Sequence, residues 1–278
     1  METPESRVEL AQAVSAQLRQ YLHTLPPEAW GQPSACHHWE VCDVVGHLIL
    51  AAEFYLGAIS RGLQGDTSPP AGFPPAGTAN AASWSVLFDP MSVARRESLG
   101  DQLLATFTAT SDQLHQLFAE CGPQHWETLC YHAASLLPVR AFVDLRLTEL
   151  VMHGWDIYSR FEPEAHLAPE SLPAFLELMI GVFRWAFWPG PRRSAPVRYR
   201  FEVTGPIPLK ADIVVEGDRA HLEPAAAQAN VTFHCATEPF VLLLYGRLTL
   251  PHAIATGRIA AEGEMDLIPV FAQWFRGV

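Results

Sequence analysis

Apolar residues recur every three or four positions along the first half of the chain, the spacing that places them on one face of an α-helix. Residues 5–24 follow this pattern, and a second helix is expected from about residues 39–41 to Arg61. Residues 62–91 are rich in Gly, Pro, Ser and Ala and predict a long loop. A third helix is expected over 92–120, and a fourth from about Leu137 past His153. Four such helices predict a helical bundle.

The pattern changes after the Pro- and Gly-rich break that begins at residue 189. Residues 197–204 alternate between apolar and polar side chains, as in a strand with one buried face. Short strand and helix patterns alternate from there to the end of the chain, which is typical of a small α+β domain. We therefore predict an α+β fold with two domains: a bundle over 1–165, a connecting helix and linker over 166–194, and an α+β domain over 195–278.

Composition narrows the possible functions. The 278 residues carry a net charge of -12 and have a pI of about 5.4, which argues against binding nucleic acid or an anionic membrane surface by bulk charge. The longest apolar runs contain charged residues, so we predict no membrane span, and the N-terminus does not resemble a signal peptide. Five cysteines without a CxxC motif favour a reducing compartment and a cytoplasmic location.

The candidate chemistry lies on the fourth predicted helix. Glu149 and His153 are four residues apart, so they share one face of that helix, and that face is flanked by mostly apolar residues. A shared divalent metal would explain such a pair, because an ionised Glu and a neutral His are both common ligands. The alternative is an ordinary Glu–His contact between successive helical turns.

His47 lies centrally on the second predicted helix and is the candidate for a third ligand. A single histidine on an apolar face is commonly a core residue, which is the alternative interpretation. In an antiparallel bundle, however, the second and fourth helices can face each other at this level. Two histidines and one carboxylate would leave a coordination position open, as catalytic sites do. The same ligands suit zinc or another divalent metal, including Fe(II).

Two segments resemble a known family. The segment Cys36 to Leu48, CHHWEVCDVVGHL, follows the pattern C-x-x-W-x-V-x-D-V-V-x-H-L, and Glu149 to Asp156, ELVMHGWD, follows E-x-x-x-H-x-W-D. Together they resemble the mycothiol-dependent maleylpyruvate isomerase family, a branch of the DinB-like metal-binding four-helix bundles. The resemblance covers residues 5 to about 160. Residues 257–263 and the helix after them are similar to the sterol-carrier-like domain that many family members carry.

The resemblance implies that His47, Glu149 and His153 bind a metal, normally zinc. It also implies a low-molecular-weight thiol cofactor: mycothiol, or another thiol such as bacillithiol or glutathione. The expected reaction is the addition of that thiol to an electrophile such as maleylpyruvate, either for cis–trans isomerisation or for S-transfer. The expected partners are this thiol and the electrophilic substrate, and the protein would be a monomer or a dimer.

Four further residues are candidates for a role in catalysis. Asp43 and Asp156 are expected to orient His47 and His153, although each could instead be a helix-end charge. Arg247 and Arg258 could hold a substrate carboxylate from the second domain, although surface arginines are common. The competing function is that of a non-catalytic protein that binds an apolar ligand and has a structural metal site.

Overall fold

The computed structural model describes residues 3–36, 38–188, 190–225 and 228–277; side chains 81–82, 179–182 and 184–185 are also outside the description. The chain divides into two compact units, Met1–Ser171 and Leu172–Val278. The first unit is helical and the second combines strands with helices, which confirms the predicted two-domain α+β fold class.

The first unit is a bundle of four long helices with a further helix and a hairpin. Its elements are α1 (Pro4–Thr24), α2 (Val41–Gly62), α3 (Ala81–Leu99), α4 (Leu103–Glu120), β1 (Leu129–His132), β2 (Ser135–Pro138) and α5 (Val139–Phe161). Helix α2 packs against both α4 and α5, and α1 packs against the same two helices. Helix α3 lies mainly against α2. This packing buries the apolar faces that the sequence pattern predicts.

The predicted third helix over 92–120 is wrong, because the structure has two helices there. Helix α3 begins eleven residues earlier than predicted, where Asn80 Oδ1 accepts a hydrogen bond from the Ser83 backbone N–H and Ser83 Oγ accepts one from the Asn80 backbone N–H. It ends at Leu99, and the φ of +48° at the following Gly100 lies in the left-handed region that glycine tolerates. The predicted loop over 62–91 is consequently shorter, and its second part is the start of α3.

The hairpin of β1 and β2 was not predicted. Its strands are antiparallel, with Leu129 opposite Pro138 and His132 opposite Ser135. The turn is Ala133-Ala134, which lacks the Gly or Asn that normally identifies a two-residue hairpin turn in sequence. The hairpin contacts the C-terminal end of α2.

Helix α2 forms the centre of the first unit. By length and composition it could cross a membrane, but 61% of its most apolar 18-residue window is buried inside the protein. Such burial is typical of the core helix of a helical bundle.

The second unit is built on a five-stranded sheet. Its elements are α6 (Leu172–Ala186), β3 (Val197–Thr204), β4 (Leu209–Glu216), β5 (Arg219–Pro224), β6 (Val231–Ala236), α7 (Thr237–Leu244), α8 (Leu250–Ala255), β7 (Ile259–Gly263) and α9 (Ile268–Trp274). The strand order is β5-β4-β3-β6-β7, with a parallel β3–β6 pair and antiparallel neighbours elsewhere. Tyr199, Phe201 and Val203 face the core, as the alternation in β3 predicts.

Helix α6, which the sequence suggested as a connection between domains, falls within the second unit. It packs on α7 and β5, and its Phe183 contacts Phe240 and Phe275 at ring-centroid distances of 6.2 and 5.9 Å. The exact domain boundaries stay a prediction. The short helix α8 was missed, because six residues are too few to show helical periodicity.

Two glycines of α2 test this packing as a matched pair. A Cβ added at Gly62 would lie 2.3 Å from Cys130 Sγ and 3.0 Å from the Leu129 carbonyl oxygen, whereas one at Gly57 would meet nothing within 4 Å. We expect Gly62→Ala to lower the free energy of unfolding by about 1–3 kcal/mol through overpacking. Gly57→Ala should raise it by about 0.5–1 kcal/mol. Urea unfolding measures both, and similar effects of the two substitutions would contradict the close approach of hairpin and helix.

Candidate metal centre

Three potential ligand atoms meet where α2 and α5 face each other. His47 Nε2 lies 2.9 Å from Glu149 Oε2, and His153 Nε2 lies 3.2 Å from the same oxygen. The side chains of His47, Glu149 and His153 are 11%, 23% and 10% exposed. The structure therefore brings together the three residues that the sequence suggested, in a largely buried position that solvent still reaches at Glu149.

The second nitrogen of His153 is held by Asp156. Asp156 Oδ2 lies 2.9 Å from His153 Nδ1, and the aspartate is fully buried one turn further along α5. The ionised carboxylate can only accept a hydrogen bond, so the Nδ1 atom carries the donated proton. That arrangement directs Nε2 toward Glu149, and it is how carboxylates commonly orient metal-binding histidines.

The second nitrogen of His47 is held by Ser92 of α3. Ser92 Oγ lies 3.2 Å from His47 Nδ1, and it donates its own proton to the Phe88 carbonyl oxygen at 2.9 Å. The serine oxygen is therefore an acceptor for the His47 Nδ1 proton. Ser92 is 0% exposed. Sequence reasoning missed it, because a single serine inside a helix carries no signal of the tertiary contact.

Asp43, which was expected to orient His47, is engaged elsewhere. Its Oδ2 accepts the backbone N–H of Glu40 at 3.0 Å, and its Oδ1 accepts a hydrogen bond from Arg96 Nε at 2.9 Å. Both contacts lie at the N-terminal end of α2, where a carboxylate caps the helix and favours its positive end. Asp43 thus fixes the start of α2. The partner of His47 Nδ1 is Ser92, not Asp43.

The remaining surroundings of Glu149 come from the bundle core. Tyr55 donates its hydroxyl to Glu149 Oε1 at 3.4 Å, which leaves Oε2 to face the two imidazoles. Arg146, one turn before Glu149, is fully buried and donates to the Leu48 carbonyl oxygen at 2.9 Å and to Ser111 Oγ at 2.8 Å. Burial lowers the pKa of Arg146 to about 10, so the guanidinium stays cationic at neutral pH.

The three candidate ligands shift one another's protonation. Burial alone would raise the pKa of Glu149, but His47 and His153 together hold that pKa well below its usual value, so the carboxylate is ionised. Burial also lowers the pKa of His47, against the opposing charge of Glu149. Burial would lower the pKa of His153 too, yet its hydrogen bonds to Asp156 and Glu149 raise it to about 9.

The ligand atoms offered by His47, Glu149 and His153 are suited to a divalent metal. Two imidazoles and one carboxylate are ligands that zinc accepts, and both Nδ1 atoms are already engaged, which leaves the Nε2 atoms to bind. Tetrahedral coordination at about 2.0–2.2 Å separates neighbouring ligand atoms by roughly 3.3–3.6 Å. The distances of 2.9 and 3.2 Å need only a small outward adjustment to reach that separation. Cys36 Sγ lies within 4.8 Å of donor atoms of His153 and Asp156 and borders the site.

The two arginines suggested from the second domain lie in the second unit. Arg247 follows α7, is half-buried and donates from Nη1 to the Tyr245 carbonyl oxygen at 2.7 Å. Arg258 is half-buried and comes directly before β7. Their role in holding a substrate carboxylate stays a prediction.

The family model described as the mycothiol maleylpyruvate isomerase N-terminal domain matches residues 11–158, just over half of the chain. The chain belongs to this family. The match contains all three candidate ligands together with Ser92 and Asp156. A second family model, the SCP-2 sterol transfer family, matches residues 193–276 and accounts for the strands of the second unit. The family resemblance stated from the two sequence motifs is thereby confirmed.

Solved structures support the fold. The crystal structure of the mycothiol-dependent maleylpyruvate isomerase matches with a TM-score of 0.65 at 14% identity, over 94% of this chain and 93% of that chain. The structure of a histidine-to-alanine variant of that isomerase matches with the same values. At this identity the likeness concerns the fold. Comparison with curated proteins gives no significant sequence match.

Substituting Ser92 tests its contact with His47. We expect Ser92→Ala to weaken the affinity for zinc by about 10–100-fold, because the loss of a hydrogen-bond partner frees the ring of a ligand. Asp43→Asn is the matched control: it disturbs the N-terminal end of α2 but should leave zinc affinity unchanged within about twofold. Competition with a chromophoric chelator measures both. A larger loss of affinity in Asp43→Asn than in Ser92→Ala would contradict the assignment.

Proposed function

We propose that this protein is a metal-dependent enzyme that uses a low-molecular-weight thiol, mycothiol or a similar compound, to isomerise or conjugate an electrophilic substrate. The observation that carries the proposal is the convergence of His47 Nε2, His153 Nε2 and Glu149 Oε2, with both Nδ1 atoms held by acceptors. Membership of the mycothiol maleylpyruvate isomerase family adds the thiol and the class of reaction.

We propose zinc as the metal, held by His47, Glu149 and His153. When bound, such a cation supplies a positive charge that stabilises a cofactor thiol as the nucleophilic thiolate at neutral pH. Three protein ligands leave room for that thiol, which distinguishes a catalytic site from a closed structural one. The partial exposure of Glu149 is consistent with access from solvent.

The surrounding residues prepare the three ligands for this role. Asp156 and Ser92 fix the ring orientations of His153 and His47, and Tyr55 binds the Glu149 oxygen that does not face the rings. The buried cation of Arg146 favours the ionised form of Glu149, because it lies one turn away in a medium of low polarity. These contacts preorganise the site before a thiol binds.

Maleylpyruvate is the first substrate to test, since the protein of the matching crystal structure is named for it. Isomerisation would follow from addition of the thiolate to the cis double bond, rotation about the resulting single bond, and loss of the thiol. An S-transfer would stop at the conjugate. The cofactor supplies the attacking sulfur in both cases, so no cysteine of this chain is required.

Substitutions of a candidate ligand, of its hydrogen-bond partner and of a nearby cysteine should reduce activity in that order. His153→Ala removes a ligand and should abolish zinc binding and most thiol-dependent turnover, whereas Asp156→Asn should keep the metal and lose roughly 10–100-fold in activity. Cys36→Ser should be nearly silent, although Cys36 borders the site. Turnover of maleylpyruvate with mycothiol, measured beside metal content, tests the order.

Two outcomes would oppose the proposal. Full activity in metal-stripped protein would exclude a role for the metal in the reaction. Absence of turnover with mycothiol, bacillithiol and glutathione alike would favour the competing function, a protein that binds an apolar ligand and uses the metal for structure.

A further inference from the structure

A continuous set of aromatic rings leads away from the candidate metal centre. Phe88 of α3 packs edge-on against His47, with ring centroids 5.6 Å apart. Trp84, one turn earlier on α3, stacks on Phe88 at 4.7 Å and an interplanar angle of 20°. Phe54 of α2 lies 6.0 Å from Phe88 and 5.5 Å from Trp84. Phe73, on the segment between α2 and α3, also belongs to the set, and Tyr131 and His132 of β1 contact Phe54 from the hairpin.

Phe54, Phe73, Trp84 and Phe88 together are called the aromatic surface here. Phe73 stacks on Phe54 at 5.5 Å and lies 5.9 Å from Trp84, so the four rings support one another. Phe88 is 2% exposed, but the other three are only partly buried. The aromatic surface therefore extends from the buried Phe88, which contacts His47, to three rings that are partly exposed to solvent.

The arginines of α2 and α3, the helices that carry three of the four rings, are already paired. These are Arg61, Arg95 and Arg96, and each contacts a carboxylate: Asp66 at 2.6 Å, Glu53 at 2.5 Å and Asp43 at 2.9 Å, respectively. A small substrate with two carboxylates would have to break one of these pairs to find a cation on these helices. An aromatic group could instead pack against the partly exposed rings of Phe54, Phe73 and Trp84 without breaking an ion pair.

We propose that the electrophile carries an aromatic or similarly apolar group that lies against Phe54, Phe73 and Trp84, and that this group, not a pair of carboxylates, is what the first unit recognises. The inference rests on the proposed thiol-dependent function. Phe88 then forms the junction between the substrate surface and the ring of His47.

The test compares two electrophiles with the zinc-loaded full-length protein and mycothiol. One is 1-chloro-2,4-dinitrobenzene: the thiolate sulfur bonds to the ring carbon, the carbon–chlorine bond breaks, chloride leaves with the bonding electrons, and the thiol proton goes to solvent. The other is maleylpyruvate, a small dicarboxylate. Each kcat/KM is divided by the uncatalysed rate constant for the same thiol, which removes the difference in intrinsic reactivity.

We expect the normalised kcat/KM to be about tenfold higher for the aromatic electrophile than for maleylpyruvate. A few aromatic contacts are enough to produce a difference of this size. Trp84→Ala should raise KM for the aromatic electrophile by about tenfold, change kcat less, and raise KM for maleylpyruvate by a smaller factor. The matched control is Val86→Ala on the same helix, since Val86 is 78% exposed and should have no effect. Phe73→Leu serves as a second variant if Trp84→Ala does not fold.

A preference for maleylpyruvate, or equal effects of Trp84→Ala and Val86→Ala, would overturn the inference while leaving the proposed function intact. Absence of any thiol-dependent turnover would instead refute the proposed function. In that case calorimetric titration with 1,3-dinitrobenzene, which has no leaving group, still decides the inference: binding that Trp84→Ala weakens and Val86→Ala does not supports the aromatic surface, and absence of binding to wild-type protein overturns it.

Discussion

The approach of α2 to α5 is the constraint on which the candidate site depends. Arg146 enforces it from inside the bundle, because its guanidinium reaches from α5 to the carbonyl oxygen of Leu48, the residue that follows His47. A buried guanidinium that binds uncharged acceptors is costly to desolvate, so these hydrogen bonds must form for the core to be stable. The same contact holds α2 and α5 together next to His47 and Glu149. It also places the positive charge of Arg146 near the carboxylate of Glu149.

Around that contact, each candidate ligand is held from a different part of the first unit. Asp156 holds His153 from the same helix, Ser92 holds His47 from α3, and Tyr55 holds Glu149 from α2. The start of α2 is fixed separately by Asp43 and Arg96. Helix α3 therefore contacts the candidate site in two ways: Ser92 holds the ring of His47, and Phe88 packs against that ring and carries Trp84 beside it.

Much of this arrangement could be predicted from sequence because it is local to one helix. Glu149, His153 and Asp156 are spaced at i, i+4 and i+7, so helical geometry alone places them on one face. His47 needed the further assumption that its helix faces the fourth predicted helix. Ser92 could not be found this way: it depends on where α3 begins and how it lies against α2, and the break at Gly100 was not recognised as a helix boundary.

For Asp43, the structure shows the second of the two interpretations, a charge at the start of a helix. Its position one turn before His47 suggested a partner, but a carboxylate near a helix start is already stabilised by the unpaired backbone N–H groups there. The hairpin was missed for a related reason, since its turn lacks the residues that local rules require. Contacts between elements, rather than periodicity within them, account for the features that sequence analysis did not supply.

The central claim is that His47, Glu149 and His153 hold a metal that a thiol can reach. X-ray absorption at the zinc edge, measured on the zinc-loaded protein before and after addition of mycothiol, tests it most directly. We expect the zinc to have only nitrogen and oxygen ligands at first, including two imidazoles, and to gain one sulfur at about 2.3 Å when the thiol is added. A sulfur ligand before the thiol is added, or unchanged ligands after it, would contradict the assignment of these three residues as ligands of a thiol-accessible metal.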